Sequence, residues 1–163
     1  MVYIYFNYQS KDSQTAVQIT RTIIKQLVSG LDIPEELESL YKKFTKKTTD
    51  PGMEELISVL GSCSRRFSST YAVFDALDEC GDRHKEEILS LFVNLQKVGY
   101  KLLISGRPPL DTCACRLNNV STLKIQASDY DVEMYIETKL EERKVLPKVR
   151  SKCLELVKGI GGM

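Results

Sequence analysis

The stretch YAVFDALDE at residues 71–79 places three carboxylates, Asp75, Asp78 and Glu79, at the end of a short apolar run. An apolar run of this length with an acidic end predicts a buried parallel strand, because helices cover both faces of such strands. Open α/β sheets bind their ligands at the carboxyl ends of the strands. We therefore expect a ligand site where this strand ends.

The charge of this segment suggests what the ligand contains. Three carboxylates that converge on one point repel each other unless a cation joins them. A divalent metal ion that arrives with a polyphosphate meets this need, so the segment predicts one part of a nucleotide-hydrolysing site.

Composition describes an ordinary globular protein. The 163 residues are 42% hydrophobic and 28% charged, with a formal net charge of +1, and this length can bury a core of its own. Lysine and arginine are scattered along the sequence, which predicts no binding to nucleic acid and no binding to an acidic membrane.

Cysteine usage points to the reducing cytosol. The five cysteines are odd in number and form no Cys-x-x-Cys pair, and the sequence pattern predicts no signal peptide and no membrane-spanning segment. Cys113 and Cys115 are too isolated for a zinc site, and His84 is the only histidine. We expect a cytoplasmic protein in which these residues are structural.

Strand patterns alternate with helix patterns along the chain, which predicts an α/β fold with a parallel sheet. Ser13 is expected to cap the first helix, and Ser128 and Asp131 form a capping box for a later one. Strands are predicted at residues 2–8, up to Asp75, at residues 101–105 and, as an edge-like strand, at residues 120–125.

Several segments occur in the order found in one known family. They are YIYFNY with DSQT at residues 3–8 and 12–15, VFDALDE at 73–79, LLISGRP at 102–108, DYDV-x-x-YI at 129–136, and KGIGGM at 158–163. Together they resemble the NACHT domains of STAND P-loop NTPases. The resemblance is closest to the nephrocystin-like N-terminal NTPase domain of fungal multidomain receptors, which often bear ankyrin or similar repeats.

This resemblance implies the fold and its division into domains. It implies a parallel P-loop NTPase sheet of the ASCE type, flanked by helices and missing its first strand. Residues 1–126 would form the partial core with the second to fifth strands, and residues 127–163 the start of a helical lid.

The resemblance also implies roles for individual residues. Asp75 would hold Mg²⁺, through water, as the aspartate of a Walker B motif does. Glu79, with Asp78 beside it in the acidic cluster, would orient or activate the attacking water. Arg107 would contact the terminal phosphate as sensor 1, with Ser105 in the same nucleotide-binding strand. The implied ligands are Mg²⁺ with ATP or GTP, and the implied partners are other NACHT domains in a homo-oligomer.

The Walker A half of such a site has no match in the printed sequence. None of its nine glycines lies in a G-x-x-x-x-G-K-[ST] motif, whose backbone amides, lysine and hydroxyl bind phosphate and Mg²⁺. In the family this motif precedes the segment that resembles residues 2–8. We therefore expect a fragment that does not hydrolyse nucleotide alone and is only marginally stable, in which residues 101–105 and 120–125 pair directly if the gap closes.

Two other functions are considered. A truncated or degenerate relative would be a non-enzymatic interaction module, which would not bind nucleotide even with a Walker A segment supplied. A phosphoaspartyl enzyme with Asp75 as nucleophile is disfavoured, since its pattern needs a second aspartate at position 77, where Leu77 stands.

Overall fold

The computed structural model describes residues 1–10, 12–45 and 49–158. Contacts divide the chain into two compact units, Met1–Val120 and Ser121–Met163. None of the helices in these described ranges is long and apolar enough to cross a membrane.

The described part of the first unit contains three strands and five helices. The strands are β1 (Val2–Tyr5), β2 (Thr70–Asp75) and β3 (Tyr100–Ile104). The helices are α1 (Ala16–Val28), α2 (Glu35–Thr45), α3 (Met53–Ser64), α4 (Asp82–Lys97) and the short α5 (Asp111–Ala114), and 3-10 turns occupy Tyr8–Ser10 and Leu77–Glu79.

The three strands form one parallel sheet in the order β1-β2-β3. This arrangement confirms the predicted α/β class with helices flanking a parallel sheet. Because β2 lies in the middle, its last residue, Asp75, has a neighbouring strand on each side. In register, Asp75 is opposite Tyr5 of β1, and Phe74 is opposite Ile104 of β3.

One face of the sheet packs against the helices to form the core. Phe74 of β2 is fully buried, and its ring centroid lies 4.5 Å from that of Phe92 in α4 and 6.4 Å from that of Phe6. Ile19, Ile23 and Leu27 of α1 recur at helical spacing, and all three are buried. Aromatic and aliphatic side chains from both layers therefore anchor the central strand.

None of the described helices of the first unit covers the opposite face of the sheet. Tyr3, Tyr5 and Tyr71 are each about half exposed, at 47%, 49% and 46%, and Leu103 is 64% exposed. Helices α1 and α4 contact β1 and β3 and also contact each other, so they lie on the same face. The expectation that helices cover both faces is therefore wrong for the described part of the first unit.

Two local predictions need correction. The first helix is capped by Thr15, whose side chain accepts a hydrogen bond from the Gln18 amide, and not by Ser13.

Residues 120–125 form no strand, and all of them are exposed. A strand needs a neighbour for its backbone hydrogen bonds, and these residues pair with no strand among the described residues; the predicted pairing with residues 101–105 is likewise not formed.

The second unit is a helical hairpin in its described part. Helix α6 (Asp129–Glu142) is capped by Ser128, whose hydroxyl accepts from the Asp131 amide as predicted. Helix α7 (Pro147–Lys158) packs against α6. Tyr135 of α6 is 64% exposed.

Two glutamine side chains of the α1 segment occupy the outer edge of β1. The Gln26 carboxamide accepts from the Tyr3 N–H (2.8 Å) and donates to the Tyr3 carbonyl (2.7 Å). The Gln14 carboxamide accepts from the Asn7 N–H (3.0 Å) and donates to the Tyr5 carbonyl (2.9 Å). Each carboxamide therefore takes the place of a backbone segment on a neighbouring strand, which closes an edge that would otherwise recruit another chain.

We predict that Gln26→Ala loosens this edge. The substitution removes both bonds to Tyr3, so the free energy of unfolding in urea should fall by about 1 kcal/mol, and self-association measured by sedimentation should increase. Gln18→Ala is the matched control, because Gln18 is an exposed residue of the same helix. Equal behaviour of the two variants would contradict a protective role for Gln26.

Candidate functional site

The backbone turns sharply where β2 ends. Asp75 is the last residue of the strand, and Ala76 adopts a left-handed conformation with φ 57° and ψ 47°. This conformation is uncommon for a residue with a side chain. The 3-10 turn Leu77–Glu79 follows at once, so that Asp78 and Glu79 leave the direction of the strand.

Asp75 is held by hydroxyl groups from both neighbouring strands. The Ser105 hydroxyl donates to its Oδ1, and the Tyr3 hydroxyl donates to its Oδ2 at 3.2 Å. Ser105 also accepts from the Ala76 N–H at 3.2 Å. The bond from Ser105, followed by that from Tyr3, lowers the pKa of Asp75 below its ordinary value, although desolvation opposes the change.

Asp78 forms a two-point pair with Arg107 of the loop after β3. The Arg107 backbone N–H donates to Asp78 Oδ1 at 2.9 Å, and its Nε donates to Oδ2 at 2.5 Å. Burial opposes ionisation of Asp78, but the two bonds from Arg107, the Asp78 backbone N–H and the charge of Arg107 together lower the pKa of Asp78. The same pairing raises the pKa of Arg107, mainly through the hydrogen bond with Asp78.

Glu79 is bonded to the segment that follows β1. Its Oε2 accepts a hydrogen bond from the Tyr8 N–H at 3.2 Å. The three carboxylates therefore have three different sets of partners. All of the sequence-predicted site residues lie at the carboxyl end of the sheet.

The expectation that the three carboxylates converge on one cation needs correction. The described ranges contain no group of three or more histidine, cysteine, aspartate or glutamate side chains that could hold a metal ion. After the turn at Ala76, each of the three carboxylates is bonded to different donors. The structure instead joins Asp75 to Ser105 and Asp78 to Arg107.

The strand ends form an open surface. Two open grooves elsewhere in the first unit have volumes of about 480 and 330 Å³, and they are lined by residues of α2, α3 and α4. Neither groove includes a residue from a strand end. The groups at the carboxyl end of the sheet are polar or charged, and the Arg107 side chain is 80% exposed there.

Sequence reasoning missed two residues of this site. Tyr3 is a member of β1, and only the pairing of β1 with β2 shows that its hydroxyl reaches Asp75. Gly106 lies against Asp78: a Cβ at this position would be 3.2 Å from Asp78 Oδ1 and 3.3 Å from the Asp78 nitrogen. The signal in the sequence was the glycine directly before Arg107, where the two segments approach closely.

Comparison with known proteins gives one match. The sequence profile of the family described as nephrocystin 3, N-terminal, matches residues 1–107, about two thirds of the chain. This range includes the whole sheet and all of the strand-end residues. A search of curated proteins and a search of solved structures each found no match.

We predict that Ser105→Ala raises the pKa of Asp75 toward that of an ordinary aspartate, about 3.9. Ser105 contributes most to the lowering, so Tyr3→Phe should raise the pKa less. An NMR pH titration of the Asp75 carboxyl carbon measures both effects. Because the pKa of Asp75 is lower in the folded than in the unfolded state, its carboxylate stabilises the fold at pH values above its unfolded-state pKa. This stabilisation is lost as the pH falls through the folded-state pKa. An unchanged pKa in Ser105→Ala would contradict the assigned cause.

Proposed function

The chain belongs to the nephrocystin-3 N-terminal family, and from this premise we propose that it is part of a nucleotide-binding domain of the NACHT type. In this proposal the carboxyl end of the sheet provides the metal and sensor half of a site for ATP or GTP. The Walker A half is not in the printed sequence, so we expect no significant hydrolysis by these 163 residues alone.

The observation that supports this proposal best is the position of Asp75. A carboxylate at the end of the central parallel strand lies where open α/β sheets bind ligands. Hydroxyl groups from both flanking strands fix its orientation. An aspartate that served only to begin a surface loop would not need a donor from each side.

The carboxylate oxygens of Asp75 are suited to Mg²⁺ that binds together with a nucleotide. They are not suited to a metal site formed by protein ligands alone. Mg²⁺ commonly keeps several waters and binds one or two carboxylates together with substrate phosphates. Both Asp75 oxygens already accept one hydrogen bond each, so Asp75 would hold the ion through water. When bound, the ion would neutralise charge on the phosphates.

Two further side chains would act on the phosphate end of the nucleotide. Arg107, with its side chain 80% exposed, would bind the terminal phosphate, because its planar charged fork matches phosphate geometry. Glu79 would orient the attacking water, with the bond from the Tyr8 N–H fixing the position of its carboxylate. Ser105 would act through Asp75, whose oxygen it binds.

The wider setting is also part of the proposal. The α6–α7 hairpin would be the start of a helical lid, and the complete domain would form homo-oligomers in the NTP-bound state, as STAND proteins do. A cytoplasmic location agrees with the five free cysteines, since disulfides are rare in the reducing cytosol. The fungal multidomain architecture with ankyrin repeats remains a prediction from sequence resemblance.

A non-enzymatic interaction module is the second candidate function. The uncovered sheet face favours it, because three half-exposed tyrosines and Leu103 lie side by side there. Aromatic residues are enriched in protein–protein interfaces. A protein of this kind would use the fold without binding nucleotide.

We predict that Mg²⁺-dependent nucleotide binding appears when a strand and helix with G-x-x-x-x-G-K-[ST], taken from a family member, are joined before Met1. Fluorescent ATP and GTP analogues measure the affinity. Asp75→Asn should then weaken Mg²⁺-dependent binding at least tenfold, since it removes a charge-assisted interaction. Asp32→Asn, an exposed carboxylate in the connection between α1 and α2, is the matched control and should have no effect.

Two results would count against the proposal. A joined protein that folds, judged by circular dichroism, yet binds neither nucleotide would favour the interaction module. Hydrolysis by the 163-residue chain that is abolished by Glu79→Gln would show that the expectation of an inactive chain is wrong.

A further inference from the structure

The pair formed by Asp78 and Arg107 has an unusual distribution of bonds. Both oxygens of Asp78 accept from one residue, the first from its backbone N–H and the second from its side-chain Nε. Because Asp78 contacts both the backbone and the side chain of Arg107, it fixes the position of the Arg107 main chain and the direction in which the side chain extends. An ordinary surface ion pair fixes only the charged ends.

The guanidinium keeps most of its donors for another acceptor. Arginine carries five N–H donors, and the bond to Asp78 uses only the one on Nε. Neither Nη nitrogen bonds to a residue in the described part of the chain, and the side chain is 80% exposed. Four N–H groups in a plane can bind two oxygens of a phosphate side by side.

Asp78 itself is poorly placed to act on a ligand. Its side chain is only 19% exposed, and both of its oxygens are bonded to Arg107. To accept a proton or bind a metal ion it would have to give up one of those bonds. This differs from the role in the acidic cluster that the sequence resemblance implies for it.

Gly106 makes the close approach of the two segments possible. A side chain at this position would come within 3.2 Å of Asp78 Oδ1 and 3.3 Å of Leu110 Cδ2. The first distance is to the oxygen that accepts from the Arg107 backbone N–H. The local sequence therefore permits the two-point contact at the position where it occurs.

We infer that Asp78 is a positioning residue that holds the Arg107 guanidinium so that its two Nη groups face an oxyanion at the carboxyl end of the sheet. The identification of that oxyanion as the terminal phosphates of a nucleotide rests on the proposed function. The alternative is a surface ion pair without a functional role, since exposed pairs generally contribute little to stability.

The first measurement tests the positioning without any ligand. In the 163-residue chain, Asp78→Asn should accelerate hydrogen exchange of the Arg107 N–H and Nε–H about tenfold, as followed by NMR. Glu86→Gln is the matched control, because Glu86 pairs with Arg116 through the Nη nitrogens at 2.8 and 3.1 Å. It should leave the exchange of Arg107 unchanged. Unchanged exchange in Asp78→Asn would overturn the inference.

The second measurement tests the anion, with sodium tripolyphosphate as the probe. The Arg107 Nε resonance should shift on titration, and Asp78→Asn and Arg107→Lys should each weaken the apparent affinity at least fivefold. Glu86→Gln should not weaken it. Absence of any shift in the unmodified chain, or equal affinity in Asp78→Asn and the unmodified chain, would overturn the inference.

The tripolyphosphate titration and the nucleotide-binding assay on the joined protein together separate this inference from the proposed function. If tripolyphosphate binding depends on Asp78 while the chain joined to a Walker A segment binds no nucleotide, the positioning role stands and the nucleotide function fails. If the joined protein binds nucleotide in an Asp75-dependent manner but Asp78→Asn does not change the affinity for tripolyphosphate, the positioning role fails and the nucleotide function stands.

Discussion

The pairing of β2 with a strand on each side is the constraint on which the candidate site depends. Phe74, buried between Phe6 and Phe92, anchors this strand to the helical layer. The strands that flank β2 then bring the hydroxyls of Tyr3 and Ser105 to the two different oxygens of Asp75. Neither hydroxyl is near Asp75 in the sequence, so sheet formation alone creates the arrangement.

Much of the fold could be predicted because hydrophobic periodicity is a local signal. The stripe of α1, the capping by Ser128 and the strand that ends at Asp75 follow from neighbouring residues. Residues 120–125 could not be predicted correctly, because a strand exists only where another strand pairs with it. The bond between Asp78 and Arg107 was equally hidden, since the two residues are 29 positions apart in the sequence.

The three carboxylates of residues 75–79 contact different parts of the structure, which the composition of this segment does not reveal. Because Ala76 is left-handed, the chain leaves the strand direction directly after Asp75. Asp75 then contacts both neighbouring strands, Asp78 contacts the loop after β3, and Glu79 contacts the segment after β1. Adjacent charges are thereby bonded to separate donors, which reduces the repulsion that a single cluster would suffer.

The two edge strands of the sheet differ in the bonding of their outer backbone groups to other described residues, so that only the β3 edge is open to a further strand. Carboxamides of Gln14 and Gln26 already occupy the outer side of β1. On β3, the backbone groups of Leu102 and Ile104 that face away from β2 bond to no other described residue. An additional strand would therefore pair with β3 next to Ser105 and Arg107, so that the sheet and the candidate site would be extended together.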